Sequence, residues 1–142
     1  MIRSISIALG LAFLGAAPAL SQRPPPPPQV VPMEVLRADF AAKSGGTVIQ
    51  FGQGSSVVGP PARPMIAAQA QWLLAHPAIA VRIEGHGDPG DTRDHALAMG
   101  ARRAAAVREL YLLLGVAPQQ VSIMSWGAER PGPPRAIITL AP

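Results

Sequence analysis

Cysteine is absent from this 142-residue chain, which excludes disulfides and metal–thiolate centres and leaves no thiol for lipid attachment. Lysine is almost absent too. Lys43 is the only one, so the excess of 12 basic over 8 acidic side chains rests on arginine. The arginines are scattered, and with three Phe, two Trp and one Tyr there are too few aromatic side chains to interleave with them as a base-stacking surface, so the composition does not indicate nucleic-acid binding. The longest apolar run, centred on residues 5–14, falls short of the roughly 20 residues a bilayer-spanning helix needs. Histidines paired at i, i+4 are missing, as is any supported Ser/His or Cys/His pairing. Asp88 with Glu84 or Glu129 has no visible context that would raise a carboxyl pKa. Neither a metal, a cofactor nor a catalytic residue is therefore expected.

What is present falls into three parts. Residues 1–19 read as a secretory leader: Arg3 supplies a positive start, residues 5–14 an apolar core, and Ala17-Pro18-Ala19 a small-x-small cleavage motif. Export to the periplasm follows. Residues 20–45 form a linker whose run from Pro24 to Pro28 favours extended polyproline II, followed by a short helix with Met33, Leu36 and Phe40 on one stripe and Gly45-Gly46 at its end. Residues 46–142 are enough for one modest domain.

In that domain Thr47, Ile49 and Phe51 alternate with Val48 and Gln50, the period of a half-buried strand. Pro64 suits the first turn of a helix whose core stripe is Ile66, Ala70, Leu73 and Leu74, with Trp72 packing at its margin, and His76-Pro77 stops it. Val81 and Ile83 share one face of a second strand and Arg82 and Glu84 the other. Gly85 and Gly87 are expected to turn the backbone sharply, leaving His86 and Asp88 at the strand's carboxyl end. A second helix begins near Thr92, with Leu97, Ala101, Ala104, Arg108, Tyr111 and Leu114 down one side, and Gly115 is its left-handed cap. Two more alternating stretches, 121–126 and 135–140, have a connection short enough to close an antiparallel hairpin. The expected fold class is α+β, in the order β-α-β-α-β-β, with one mixed sheet and two main helices on one face in a two-layer sandwich.

The run Gly85-His86-Gly87-Asp88-Pro89-Gly90, the stretch LAMGARRAAAVREL from Leu97 onward and SIMSWGAERP from Ser122 onward together resemble the C-terminal peptidoglycan-binding domain shared by outer-membrane protein A and the peptidoglycan-associated lipoprotein. Gln69-Ala70-Gln71-Trp72-Leu73 with His76-Pro77 is similar to the lipoprotein branch in particular. That branch carries lipid on a cysteine after its leader, and this chain has none, so no lipid anchor is expected. The resemblance implies non-covalent binding of peptidoglycan through its diaminopimelate residue, in the periplasm and in association with the cell wall or outer membrane, with envelope proteins as further partners.

A diaminopimelate terminus presents an ammonium and a carboxylate on one carbon, so its receptor needs an acceptor and a cationic donor aimed at one point. An arginine fork matches a carboxylate bidentately, as lysine does not. In the family the motif aspartate and an arginine fifteen positions later form the ligand pair, which implies Asp88 and Arg103 here. Arg135 stands where the family's last connection places a further arginine, and Gly85, His86 and Gly87 shape the loop. Two departures stand out: Ala96 replaces the usual asparagine, and Pro133-Pro134-Arg135 replaces an Asn-Arg-Arg group on a longer connection. They keep a second reading open, in which the domain retains the fold with a degenerate groove and serves as a protein-interaction module.

Overall fold

A computed structural model describes residues 24–141; the leader and its cleavage motif lie outside them. Residues 24–32 carry no regular hydrogen-bonded structure and are exposed, as a proline run without backbone donors requires. A compact unit begins at Val31 and includes the first helix, α1 (Met33–Ser44). Glu34 in its first turn and Lys43 in its last oppose the helix dipole, and Gly45 ends it at φ 76°. Phe40 is buried edge-on against Trp72, with ring centroids 5.1 Å apart.

The chain continues through β1 (Val48–Gln50), α2 (Arg63–Ala75), β2 (Ala80–His86), α3 (Arg93–Leu113), β3 (Val121–Gly127) and β4 (Arg135–Ala141). These form one mixed sheet in the order β1-β4-β2-β3, with β4 antiparallel to both β1 and β2, and β2 parallel to β3. Ile66, Ala70 and Leu73 of α2 and Ala104, Val107 and Tyr111 of α3 share one core with Val81, Ile83, Ile138 and Leu140, so both main helices cover the same face. This is the expected α+β two-layer sandwich.

The expected β3–β4 hairpin does not form, because β2 lies between those strands. The connection can still be short: it crosses only one strand, about 10 Å at the usual inter-strand spacing. The burial of side chains explains the choice. β4 alternates buried and half-buried residues along its length, which suits a central position, whereas β3 leaves Ile123 42% exposed and suits an edge.

Three local expectations are corrected by packing. Leu74 is 49% exposed, and the buried stripe of α2 is Ile66, Gln69, Ala70 and Leu73. On α3 the buried face is Ala96, Met99, Gly100, Arg103, Ala104, Val107 and Tyr111; Ala104 and Tyr111 of the expected side belong to it, whereas Leu97 and Leu114 are 43% and 45% exposed. Gly85 and Gly87 do not turn the chain, since neither has positive φ; the left-handed residue in that loop is Gly90 at φ 85°. Their role in shaping the loop is close approach instead. A Cβ on Gly85 would lie 1.8 Å from the Gly100 carbonyl oxygen, and one on Gly87 would lie 2.5 Å from that of Ala96. Small residues on α3 therefore face the sheet because backbone meets backbone there, and the bulky leucines point elsewhere.

Two buried amides tie the layers together. Gln69 accepts a 2.7 Å bond from the Tyr111 hydroxyl and donates to the Gly46 carbonyl. Gln120 donates to the carbonyls of Leu73, His76 and Ile79, and so ties down the chain where α2 ends.

Candidate functional site

The close approach of α3 to β2 brings Arg103, one turn beyond Gly100, beneath the carboxyl end of β2. Arg103 is 0% exposed and Asp88 3%. Nη2 of Arg103 donates to both carboxylate oxygens of Asp88 at 3.0 Å. The rest of the guanidinium is held by backbone: Nε donates to the Ser55 carbonyl at 2.8 Å, Nη1 to that of His86 at 2.8 Å, and Nη2 also to that of Gly52 at 3.2 Å. The Gly54 amide in turn donates to Asp88 Oδ2 at 3.2 Å, and the Phe51 ring lies 5.6 Å from the guanidinium carbon. The loop after β1 thus closes over a buried ion pair. Its Gly and Ser residues suit this, since the backbone groups themselves make the contacts and Gly54 takes φ 66°.

A model of the OmpA family matches residues 50–138. The chain belongs to the OmpA family. Among curated relatives, the peptidoglycan-associated lipoprotein of Mesorhizobium japonicum is 41% identical over 93 residues, covering 66% of this chain and 55% of the relative, and that of Legionella pneumophila is 43% identical over 68 residues, 48% of this chain and 39% of the relative. The chain therefore spans about half the length of the curated relatives it matches. Among solved structures, the peptidoglycan-associated lipoprotein from Burkholderia pseudomallei aligns with a TM-score of 0.66 at 30% identity, covering 68% of this chain and 92% of that one. The OmpA-like domain of FopA1 from Francisella tularensis aligns at 0.60 with 16% identity, a likeness of fold.

Within this OmpA-family fold, His86 reaches the Asp88–Arg103 pair through its carbonyl alone, and neither its ring nor the Arg135 side chain hydrogen-bonds to either member. Arg135 donates to the carbonyls of Pro133 at 3.0 Å and Pro131 at 3.4 Å, capping its own loop. The His86 ring is 1% exposed with no hydrogen-bond partner at either nitrogen. Burial pushes its pKa below the usual histidine value, the charges of Arg135 and Arg130 push the same way, and Glu84 opposes them. Glu84 is the polar centre of the sheet face turned away from the helices: it accepts from Trp126 Nε1 at 3.1 Å and from Arg130 at 3.3 Å, while the Arg130 guanidinium stacks 3.7 Å over the Trp126 ring. His95 pairs with Asp91 at 2.7 Å on the exposed start of α3, where Thr92 caps the helix by accepting from the His95 amide. Among the described residues no three His, Cys, Asp or Glu side chains are grouped to hold a metal ion.

The part the loop after β1 plays in the OmpA-family site escapes a reading of residue types. Gly52, Gly54 and Ser55 contribute through peptide groups, which every residue has, and only the GQGSS composition hints at a loop there. Ala96 is fully buried against the Gly87 backbone, so this position fills the helix–loop contact and offers no polar group to the site.

Proposed function

We infer that this domain binds peptidoglycan non-covalently and without turnover in the periplasm, with Asp88 and Arg103 together receiving the zwitterionic end of diaminopimelate. The observation that carries the reading is the buried Asp88–Arg103 pair at the end of β2, in a family whose named relatives are peptidoglycan-associated lipoproteins. The ligand's carboxylate takes the guanidinium fork and its ammonium takes the Asp88 carboxylate, each replacing a contact with the loop at Gly52–Gly54 or within the pair itself. That exchange keeps every charge partnered, which a buried site demands. In this reading residues 1–19 are a leader, the proline-rich segment is a spacer, and Arg135 is at most a rim contact.

The test is a pull-down on purified sacculi. Asp88→Ala and Arg103→Ala each weaken binding by about 2–4 kcal/mol, with the double variant far less than additive. Arg103→Lys also loses most binding, because a point charge does not reproduce the fork. Arg102→Ala, on the exposed side of α3, is the control and binds like the parent. Each variant is first melted, since loss of one buried charge also costs stability. Folded alanine variants that bind like the parent, or equal binding to sacculi lacking diaminopimelate, would sink the reading.

One observation favours the second reading, a protein-interaction module in the envelope. Arg103 has no exposed surface, Asp88 already uses both oxygens internally, and position 96 holds a buried alanine. If sacculi are not bound by the folded parent, this reading takes over.

A further inference from the structure

On the other side of the molecule, β1 stops short of its neighbour. The β1–β4 ladder covers Val48–Gln50 against Arg135–Ile137 and ends where the Ile138 amide donates to the Thr47 carbonyl at 2.8 Å. β4 continues to Ala141. In an antiparallel ladder alternate residues point their amide and carbonyl to the same neighbour, so Leu140 presents its peptide group toward the place β1 has left. There the chain has already turned into Gly45 and α1. What meets the Leu140 carbonyl is the Arg37 guanidinium, at a long 3.5 Å.

A cleft of about 460 Å³ opens at this point, lined by Arg37, Arg82, Glu84, Thr47 and Thr139 around an apolar floor that includes Phe40. Among the described residues its charges are not matched. None of their ion pairs involves Arg37. Glu84 is the only acid among the described residues of the lining, and Trp126 and Arg130 already engage it. Arg82 stands 4.0 Å from Glu84, beyond hydrogen-bond reach, and its Nε is buried without a partner. The Lys43 charge at the far end of α1 is paired with Asp39.

We propose that this cleft is a second binding site, taking an extended acidic segment of a partner protein that pairs with the Leu140 edge of β4 and places a carboxylate between Arg37 and Arg82. The Leu140 amide supplies a backbone bond, its carbonyl being met by Arg37, and the two guanidinium groups select for a carboxylate, as when a peptide is added at the end of a sheet edge. The site lies outside the Asp88–Arg103 pair and does not depend on peptidoglycan binding.

The probe is the capped peptide acetyl-Thr-Val-Glu-Val-Thr-amide, titrated into isotopically labelled full chain and followed by NMR. The expected result is a set of shift changes centred on the Leu140 amide and on the side-chain Nε–H of Arg37 and Arg82. The peptide with glutamine in place of glutamate binds at least about tenfold more weakly, and Arg37→Gln or Arg82→Gln lowers affinity for the acidic peptide by a similar factor. Sacculus pull-down by those two variants stays at the parent level. Acetate binding as tightly as the peptide, shift changes centred elsewhere, an indifferent glutamine peptide, or soluble cell-wall fragments displacing the peptide from these residues would each overturn the proposal.

Discussion

Gly85→Ala tests the contact on which the candidate site stands. The added Cβ would sit 1.8 Å from the Gly100 carbonyl oxygen, 2.6 Å from its carbon and 3.2 Å from the Ala104 Cβ. Ordinary carbon–oxygen contacts lie near about 3.3 Å or more, so α3 must retreat by about 1.5 Å or β2 must buckle. Neither side can yield by a rotamer change, because the obstructing atoms are backbone. A gap of about 0.5–1 Å already forfeits a quarter to a half of the dispersion energy between facing atoms, and α3 packs on β2, β3 and β4 together. Overpacking usually costs about 1–3 kcal/mol. Here the upper end, about 3 kcal/mol, is expected, a large share of the roughly 5–15 kcal/mol that holds a domain folded. Urea unfolding followed by Trp72 and Trp126 fluorescence measures it as a lower midpoint at an unchanged slope. Gly52→Ala is the matched control, since its Cβ meets only the Ser55 Cβ at an ordinary 3.8 Å and its φ is not positive, and it should shift stability by less than about 0.5 kcal/mol. A Gly85→Ala midpoint as close to the parent as the control's would refute the claim that backbone contact sets the height of α3 above the sheet.

Two further outcomes are expected. Burial lowers the His86 pKa in the folded state, so the folded chain binds fewer protons than the unfolded one; stability should be full above the unfolded value near 6.5 and decline as the pH falls below it toward the folded pKa. Urea midpoints between pH 7.5 and 5 should therefore fall less steeply for His86→Gln than for the parent, and parallel curves would remove His86 as the cause. The Asp39 carboxyl is held below its usual pKa first by the 2.8 Å bond from Trp72 and then by the hydrogen bond and charge of Lys43, so in an NMR titration Trp72→Phe and Lys43→Ala should each raise it. An unchanged Asp39 titration in Trp72→Phe would mean that charge, not the indole bond, holds it down.

Local signals in the sequence carried most of the element boundaries. Pro64, His76-Pro77, Thr92 and Gly115 mark helix ends for stereochemical reasons that need no tertiary context, and the structure uses each of them that way. The phase of α3 was legible only in part: Ala104 and Tyr111 are on the expected side, but a search for large apolar residues adds Leu97 and Leu114, whereas the closest approach is made at Ala96 and Gly100. An arginine inside that buried stripe reads as a surface residue until its carbonyl partners, 17 to 51 positions away, are in place. The pairing of Asp88 with Arg103 came from family resemblance; a spacing of fifteen positions through loop and helix gives no period that would join them. Strand order was hidden for a similar reason, since a short connection fits both a hairpin and a crossing over one strand.

The central place of β4 also sets the order in which the domain can assemble. β1 has no partner until Arg135–Ile137 arrives, 87 residues after Val48, and β2 lacks one of its two neighbours until the same segment is present. Until then Ile49, Val81 and Ile83 have no β4 beside them, and the edges of β1 and β2 are open to any passing strand. Contacts of such long sequence separation make for slow, late closure. A chain growing or emerging from its amino end therefore stays uncommitted until its last strand appears, and then closes around it, so truncation before Arg135 should leave an aggregation-prone chain and no smaller folded core.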